Sequence, residues 1–259
     1  MERIVAVIPA RMGSSRLPGK PLAPLLGRPM IEHVVRRAEM CDVLAGVCVA
    51  TCDEEIRTAV ESLGCKTIMT SARHERASER VAEAAESLEA DIVVMIQGDE
   101  PMITPGMIQA AVAPMLSNKA VPCVNLVRRI TNREEYFDPN TIKVVMNLNG
   151  DALYFSRAPI PSLDISSHRT PAFKQVCVIP FRSDFLREYA QLPPTPLEQA
   201  ESIDMLRIIE HGRRVHLVLT EVETHSVDTP EDLRLVESLM KHDPLVSRYG
   251  DSIARMGAH

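Results

Sequence analysis

The chain has 259 residues and a formal net charge of -6, enough length to bury a full core as one large domain or as one domain with a small lobe. That acidic balance argues against a non-specific grip on nucleic acid, so any work done by positive charge must be local. No apolar run approaches a membrane span, and charge at Glu2, Arg3 and Arg11 interrupts the stretch where a secretory leader would be apolar; a cytoplasmic protein is expected.

Ile4 to Ile8 is a continuous apolar run, the pattern of a strand buried on both faces. It leads straight into a basic loop from Pro9 to Pro21, after which Pro29 to Ala38 has the spacing of an amphipathic helix. Within the loop, Gly13, Gly19 and small residues between Arg11, Arg16 and Lys20 let backbone N–H groups approach a ligand, which is how a protein holds a polyphosphate. It is not the common P-loop, because Gly13 and Gly19 stand one residue too far apart and Pro21 follows the lysine. Strand-like runs near 3–9, 46–51, 66–70, 91–96 and 121–128 alternate with helical patterns near 29–40, 54–63, 78–89 and 105–116. Such alternation predicts an α/β fold with a doubly wound, mostly parallel sheet, and ligands beyond the carboxyl ends of its strands. The basic loop and Gln97-Gly98-Asp99 both fall there.

Residues 158–172 are rich in Pro, Ser and Thr (Pro159, Pro161, Ser162, Ser166, Ser167, Thr170, Pro171) and read as an excursion. A strand-like run from Phe173 to Phe181 follows, then a helix near 182–190, a break at Leu192 to Pro196, and a helix over about 197–211. A last strand, Val215 to Leu219, precedes a helix that opens at Thr229-Pro230, a capping residue followed by proline in the first turn. Periodicity fades after about residue 243, so residues 1–243 read as a single domain and 244–259 as a loose tail. The six cysteines (Cys41, Cys48, Cys52, Cys65, Cys123, Cys177) include no C-x-x-C pair and fit buried free thiols better than metal or disulfide roles.

The loop from Ile8 to Pro21 resembles the signature of nucleotidyltransferases that activate sugars, and within them the CMP-Kdo synthetase (3-deoxy-manno-octulosonate cytidylyltransferase) family. Four further stretches agree in the family's order: Gln97 to Ile103, Phe137 to Val145, Ala152 to Pro161 and Val227 to Leu233. The resemblance implies a Rossmann-like fold of nucleotidyltransferase type and a homodimer packed through an excursion at about 155–182. It also implies a Mg²⁺-dependent transfer of CMP from CTP to a small acidic acceptor, with release of pyrophosphate.

That reaction requires a neutralised triphosphate, metal ions across the α-phosphate and leaving pyrophosphate, and an acceptor oxygen held in line. Arg16 and Lys20 suit the triphosphate, and Pro9, Ala10, Arg11, Gly13 and Gln97 lie where the family holds the nucleotide. Asp99 and Asp228 are the metal candidates, each following an apolar strand and each offering the hard oxygens Mg²⁺ prefers. Sequence alone ranks Asp99 first, because Asp228 adjoins a helix start where an acidic residue is favourable anyway; the resemblance assigns both to magnesium. Glu100 reads as a local structural carboxylate. In the family the positions of Arg157 and Lys143 lie near the acceptor side; the resemblance implies that either faces a carboxylate, Arg157 better because its fork binds one bidentately, and a salt bridge to a neighbour is the alternative. Glu198 and Glu201 lie three apart on one helix face; Glu201 resembles an acceptor-site residue, and an exposed helical pair is the alternative.

The chain departs from the family where the family meets its sugar. Between Ser71 and Arg80 the family usually reads Arg-Ala-Asp-His-x-Ser-Gly-Thr-(Asp/Glu)-Arg; here Ser71 replaces the first arginine and Arg76-Ala77 replaces Ser-Gly. Gln175 and Ile179 stand where the family has His and Tyr, and Asp204-Met205 where it has Glu-Gln. Hydrogen-bonding groups suited to a polyol are lost and a cation is gained, and such changes alter discrimination. Arg76, Arg157, Gln175, Glu201 and Asp204 are therefore the expected acceptor contacts. Kdo or a related 3-deoxy-2-keto sugar acid is the first expected acceptor, and a phosphonate or other small anionic acid the second. A catalytically idle nucleotide-binding protein is the remaining reading, opposed by the intact Lys20, Asp99 and Asp228.

Overall fold

The computed structural model describes residues 2–14, 16–162 and 171–250; Ser166, Ser167 and Thr170 of the expected excursion lie outside them. The strands are β1 (Ile4–Pro9), β2 (Pro24–Leu25), β3 (Arg28–Pro29), β4 (Gly46–Thr51), β5 (Lys66–Met69), β6 (Ile92–Ile96), β7 (Val124–Arg129), β8 (Lys143–Met146), β9 (Ala152–Ser156), β10 (Phe173–Val176), β11 (Val178–Arg182) and β12 (His216–Leu219). The helices are α1 (Met30–Glu39), α2 (Glu54–Ser62), α3 (Ala77–Ala85), α4 (Pro105–Ser117), α5 (Arg133–Phe137), α6 (Ser183–Gln191), α7 (Pro196–Glu201), α8 (Asp204–Glu210), α9 (Pro230–Met240) and α10 (Pro244–Gly250).

All six residues of β1 are buried. Ile4, Ala6 and Ile8 join the core beneath α1, α2 and α4, whereas Val5 and Val7 join the core shared with α3, α6 and α8. A strand with period-two side chains and apolar residues at every position belongs at the centre of a sheet covered on both faces. Accordingly β1 sits in the middle of a sheet ordered β11-β6-β1-β4-β5, parallel except for β11. The α/β, mostly parallel, Rossmann-like architecture holds.

Three local readings change. The apolar run from Phe173 to Phe181 is two strands, divided at Cys177: β10 pairs with β7 and β8, and β11 runs antiparallel to β6. The predicted strand at 121–128 does not enter the parallel sheet; as β7 it joins a second sheet ordered β12-β7-β10-β8-β9 and meets the first at the bridge Cys123–Phe181. The predicted helix over 197–211 breaks at Ser202, which takes the left-handed conformation (φ 56°, ψ 51°) between α7 and α8. No glycine or proline announces that break in the sequence.

The expected loose tail also needs correction, as residues 244–250 form α10. Tyr249 is buried against α1, where its hydroxyl meets Nδ1 of His33 at 2.8 Å and accepts from Nε of Arg37 at 3.4 Å. His33 Nε2 lies 2.8 Å from the Leu25 carbonyl, so the ring donates there and accepts from the tyrosine, as a neutral imidazole does. Arg37, wholly buried, also donates to Asp243 at 2.6 Å. One aromatic residue with a satisfied hydroxyl thus pins a helix whose periodicity is too weak to read. Residues 251–259 lie outside the described part.

Replacing Tyr249 by Phe leaves a buried imidazole nitrogen without that partner. The expected cost is about 1–3 kcal/mol, seen as a lower urea midpoint at unchanged m-value. Burial, together with the charge of Arg37, holds the His33 pKa below its ordinary 6.5. The unfolded chain therefore binds the extra proton first, and this contribution is complete above pH 6.5 and lost as pH falls below it. Urea midpoints should drop between pH 7.5 and 5.5, and drop less in His33→Gln; an equal drop would remove His33 from the account.

Candidate active site

A cleft of about 430 Å³ opens at the carboxyl ends of β1 and β6 and is closed on its far side by the second sheet and the α7–α8 turn. Two glycines make the near side possible. Gly19 takes φ +67°, turning the basic loop into the 3-10 turn that carries Lys20. A Cβ on Gly98 would lie 3.2 Å from the Pro9 carbonyl and 3.1 Å from Ile31, so any side chain there would force the loop after β6 and the end of β1 to give way by a few tenths of an ångström. Asp53, from the start of α2, accepts from the Met12 N–H at 2.8 Å and anchors the basic loop from beneath.

Lys20 Nζ lies 2.6 Å from Asp99 and 3.0 Å from Asp228, and Arg16 reaches Asp228 at 3.0 Å while also donating to Asn140. Burial would lower the Lys20 pKa, but the two carboxylates outweigh it and raise it above 10.5. The loops carrying the two aspartates are joined directly, the Val227 N–H donating to the Asp99 carbonyl at 2.9 Å. Among the described residues no cluster of three or more His, Cys, Asp or Glu side chains forms a metal site. Two hard carboxylates converging on one cationic centre nonetheless fit Mg²⁺, which commonly takes one or two protein carboxylates and completes its shell with water and phosphate. Glu100 lies fully buried behind them, accepting from Thr224 at 2.8 Å; burial and then the charge of Asp99 raise its pKa to about 7. That is the structural carboxylate the sequence suggested.

Pro9, Ala10, Arg11, Gly13, Arg16, Lys20, Gln97, Asp99 and Asp228 all line the cleft, as do Arg76, Arg157, Gln175 and Asp204 on its far side. Glu201 does not. Its carboxylate accepts from Ser156 Oγ and the Arg157 N–H, each at 2.8 Å, and from the Tyr154 hydroxyl at 3.2 Å, which ties it to β9 rather than to the cleft. Nor are Glu198 and Glu201 an exposed pair: Glu198 is wholly buried and held by two Arg207 nitrogens, each at 2.7 Å. Lys143 is also buried, donating to the carbonyls of Asp138, Thr141 and Arg157, so its role is to tie loops rather than to bind a ligand.

Gln175 is held by a chain of obligations. The Asn125 amide donates to the carbonyls of Leu126 at 2.7 Å and Val176 at 2.9 Å, so its oxygen must accept, and it does so from Gln175 Nε2 at 2.6 Å. Sequence reasoning gave no role to Asn140, Arg80 or Ser202, all of which line the cleft. Asn140 stood inside a matched stretch and Arg80 inside the altered one, so motif position was the available signal; Ser202 had none.

A family model for "Cytidylyltransferase" matches residues 5–216. The "3-deoxy-manno-octulosonate cytidylyltransferase" of Solibacter usitatus is 45% identical over 239 residues, covering 92% of this chain and 95% of that protein. Its counterpart in Geobacter metallireducens is 42% identical over 250 residues, covering 92% and 98%. A solved CMP:2-keto-3-deoxy-manno-octonic acid synthetase, determined in complex with CTP, superposes with a TM-score of 0.87 at 42% identity and covers 93% of this chain and 99% of its own. The cleft geometry and these likenesses agree: the chain belongs to the cytidylyltransferase family and stands among its 3-deoxy-manno-octulosonate members.

Proposed function

We propose that this chain transfers CMP from CTP to 3-deoxy-manno-octulosonate (Kdo) and releases pyrophosphate. The observation that carries the reading is the convergence of Lys20 on Asp99 and Asp228 at the strand ends, facing a wall that holds Arg76, Arg80 and Arg157. It is supported by 42% and 45% identity to relatives that bear that name.

In this reading the Pro9–Arg11 backbone holds the cytosine, with Gly13 and Gln97 beside it, and Arg16 and Lys20 turn to the triphosphate. The acceptor's hydroxyl gives up its proton to water as its oxygen bonds to the α-phosphorus, the bond from that phosphorus to the bridging oxygen breaks, and pyrophosphate leaves with the electron pair. Fixing both reactants in one cleft supplies most of what such a displacement needs, since no covalent enzyme intermediate is required. Asp99 and Asp228 would hold Mg²⁺, which when bound neutralises charge on the α-phosphate and the leaving group. Among the described residues no helix is long and apolar enough to cross a membrane; the reading places the reaction in the cytoplasm, in a homodimer as the family resemblance implies.

The altered residues favour a singly charged acid over a phosphonate. Arg76 is not an isolated added cation, because Glu198 and Asp204 each lie 3.9 Å from its Nε and offset part of its charge. Pyrophosphate release from CTP and Mg²⁺, measured against a panel of 2-keto sugar acids and phosphonates, should be fastest with Kdo. Release with a phosphonate alone would transfer the assignment to that class, and release with none would favour the idle reading.

Asp99→Asn removes a charge without changing shape. Turnover should fall ~10²-fold or more, as loss of a principal electrostatic stabiliser does, with the circular dichroism spectrum unchanged. Retention of more than about a tenth of the wild-type rate at saturating Mg²⁺ would remove Asp99 from the metal site.

A further inference from the structure

We propose that Arg76 grips the carboxylate of the acceptor and thereby sets which acids the cleft takes. The inference rests on the reading of this cleft as a cytidylyl-transfer site for a sugar acid, and deepens it by naming a contact that the family pattern does not supply.

Arg76 stands immediately before α3 and reaches across the cleft wall to the α7–α8 turn. Its Nη1 donates to Ser202 Oγ at 2.6 Å, and Nη2 makes a long contact of 3.5 Å with the Glu198 carbonyl. Arg157 approaches the same turn from the β9 side, its Nη2 lying 3.5 Å from the Ser202 carbonyl. Two guanidinium groups thus flank one residue in a left-handed conformation, and all three line the cleft.

A guanidinium carries five N–H donors. Among the described residues two of Arg76's are engaged by these contacts, so its fork is not exhausted by them. The nearest carboxylates, at 3.9 Å from Nε, lie beyond hydrogen-bonding distance and have other partners. Glu198 is held by two nitrogens of Arg207, and Asp204 accepts from Ser78 Oγ at 2.6 Å and from the Ser78 N–H at 3.2 Å. The Arg76 side chain is 21% exposed, enough to be reached from the cleft and little enough that water screens it poorly. A planar fork with spare donors beside a polar cleft suits a planar carboxylate, and Kdo has one anionic group, its carboxylate.

The test uses the full chain, CTP at saturation, and two acceptors: Kdo and its methyl ester, which keeps the hydroxyls and loses the charge. Arg76→Gln should lower kcat/KM for Kdo by about ten- to a hundredfold, the range of a charge-assisted hydrogen bond. It should leave kcat/KM for the ester within about threefold and the KM for CTP within about twofold, thresholds well below that effect. Arg76→Lys keeps the charge without the fork and should fall between wild type and Arg76→Gln. Ser202→Ala, which breaks the clasp but keeps the guanidinium, should retain most of the discrimination between acid and ester. Equal losses for acid and ester, or a loss for Ser202→Ala as large as for Arg76→Gln, would make Arg76 a structural clasp and overturn the proposal. If the unaltered chain releases no pyrophosphate with Kdo, the functional reading itself fails and this proposal falls with it. A wild type active on Kdo whose acid-to-ester ratio survives Arg76→Gln overturns the arginine assignment alone.

Discussion

The ion triad of Lys20, Asp99 and Asp228 is the constraint on which the rest of this site depends. Each member comes from a different part of the chain: the loop after β1, the loop after β6 and the approach to α9. Each is less than a quarter exposed, so the charges interact more strongly than a surface pair would and removing any one leaves a costly remainder. The fold serves that meeting. A central β1 buried on both faces fixes the first loop, Gly98 lets the second press against it, and the Val227 to Asp99 backbone bond brings in the third. Behind β1, His33 joins α10 to the Leu25 backbone just beyond the lysine's turn, so the end of the described chain buttresses its beginning.

The far side of the cleft is built on a different principle. Its charged groups are mostly held by protein partners: Arg207 by Glu198 and Glu79, Arg157 by backbone carbonyls, Glu201 by Ser156 and the Arg157 N–H. Pairing of this kind yields little net stability but penalises alternative arrangements, because a broken member would be left buried and unsatisfied. The result is a wall of fixed shape in which Gln175 and Arg76 line the cleft. On the proposed reading, nucleotide chemistry and acceptor recognition lie on opposite sides of the cleft, and sequence change on the second side need not disturb the first.

What was legible in the sequence follows from how local each feature is. The basic loop and Asp99 could be read because a strand end, a glycine turn and a charged residue lie within a few positions of one another, whereas Asp228 stands nine residues past β12 with no glycine near it and was legible through the resemblance of its motif. The switch of sheets at Cys177 could not, since apolar residues on both sides suit either sheet and the decision is made by pairing with β6 and β7. Ser202 breaks a helix without glycine or proline, held by arginines more than forty residues away in sequence. Glu201 illustrates the opposite error: its position matched an acceptor-site residue, but three short-range donors claim its carboxylate. The α10 anchor depended on a single tyrosine whose partner, His33, lies at the other end of the chain.

Phosphorus-31 NMR of the reaction mixture tests the central claim most directly, because it reports which bond of CTP is broken. With CTP, Kdo and Mg²⁺, the account predicts a CMP phosphodiester and pyrophosphate appearing in equal amounts, with no CDP. Accumulation of CDP and orthophosphate, or CTP left intact beside Kdo, would contradict it.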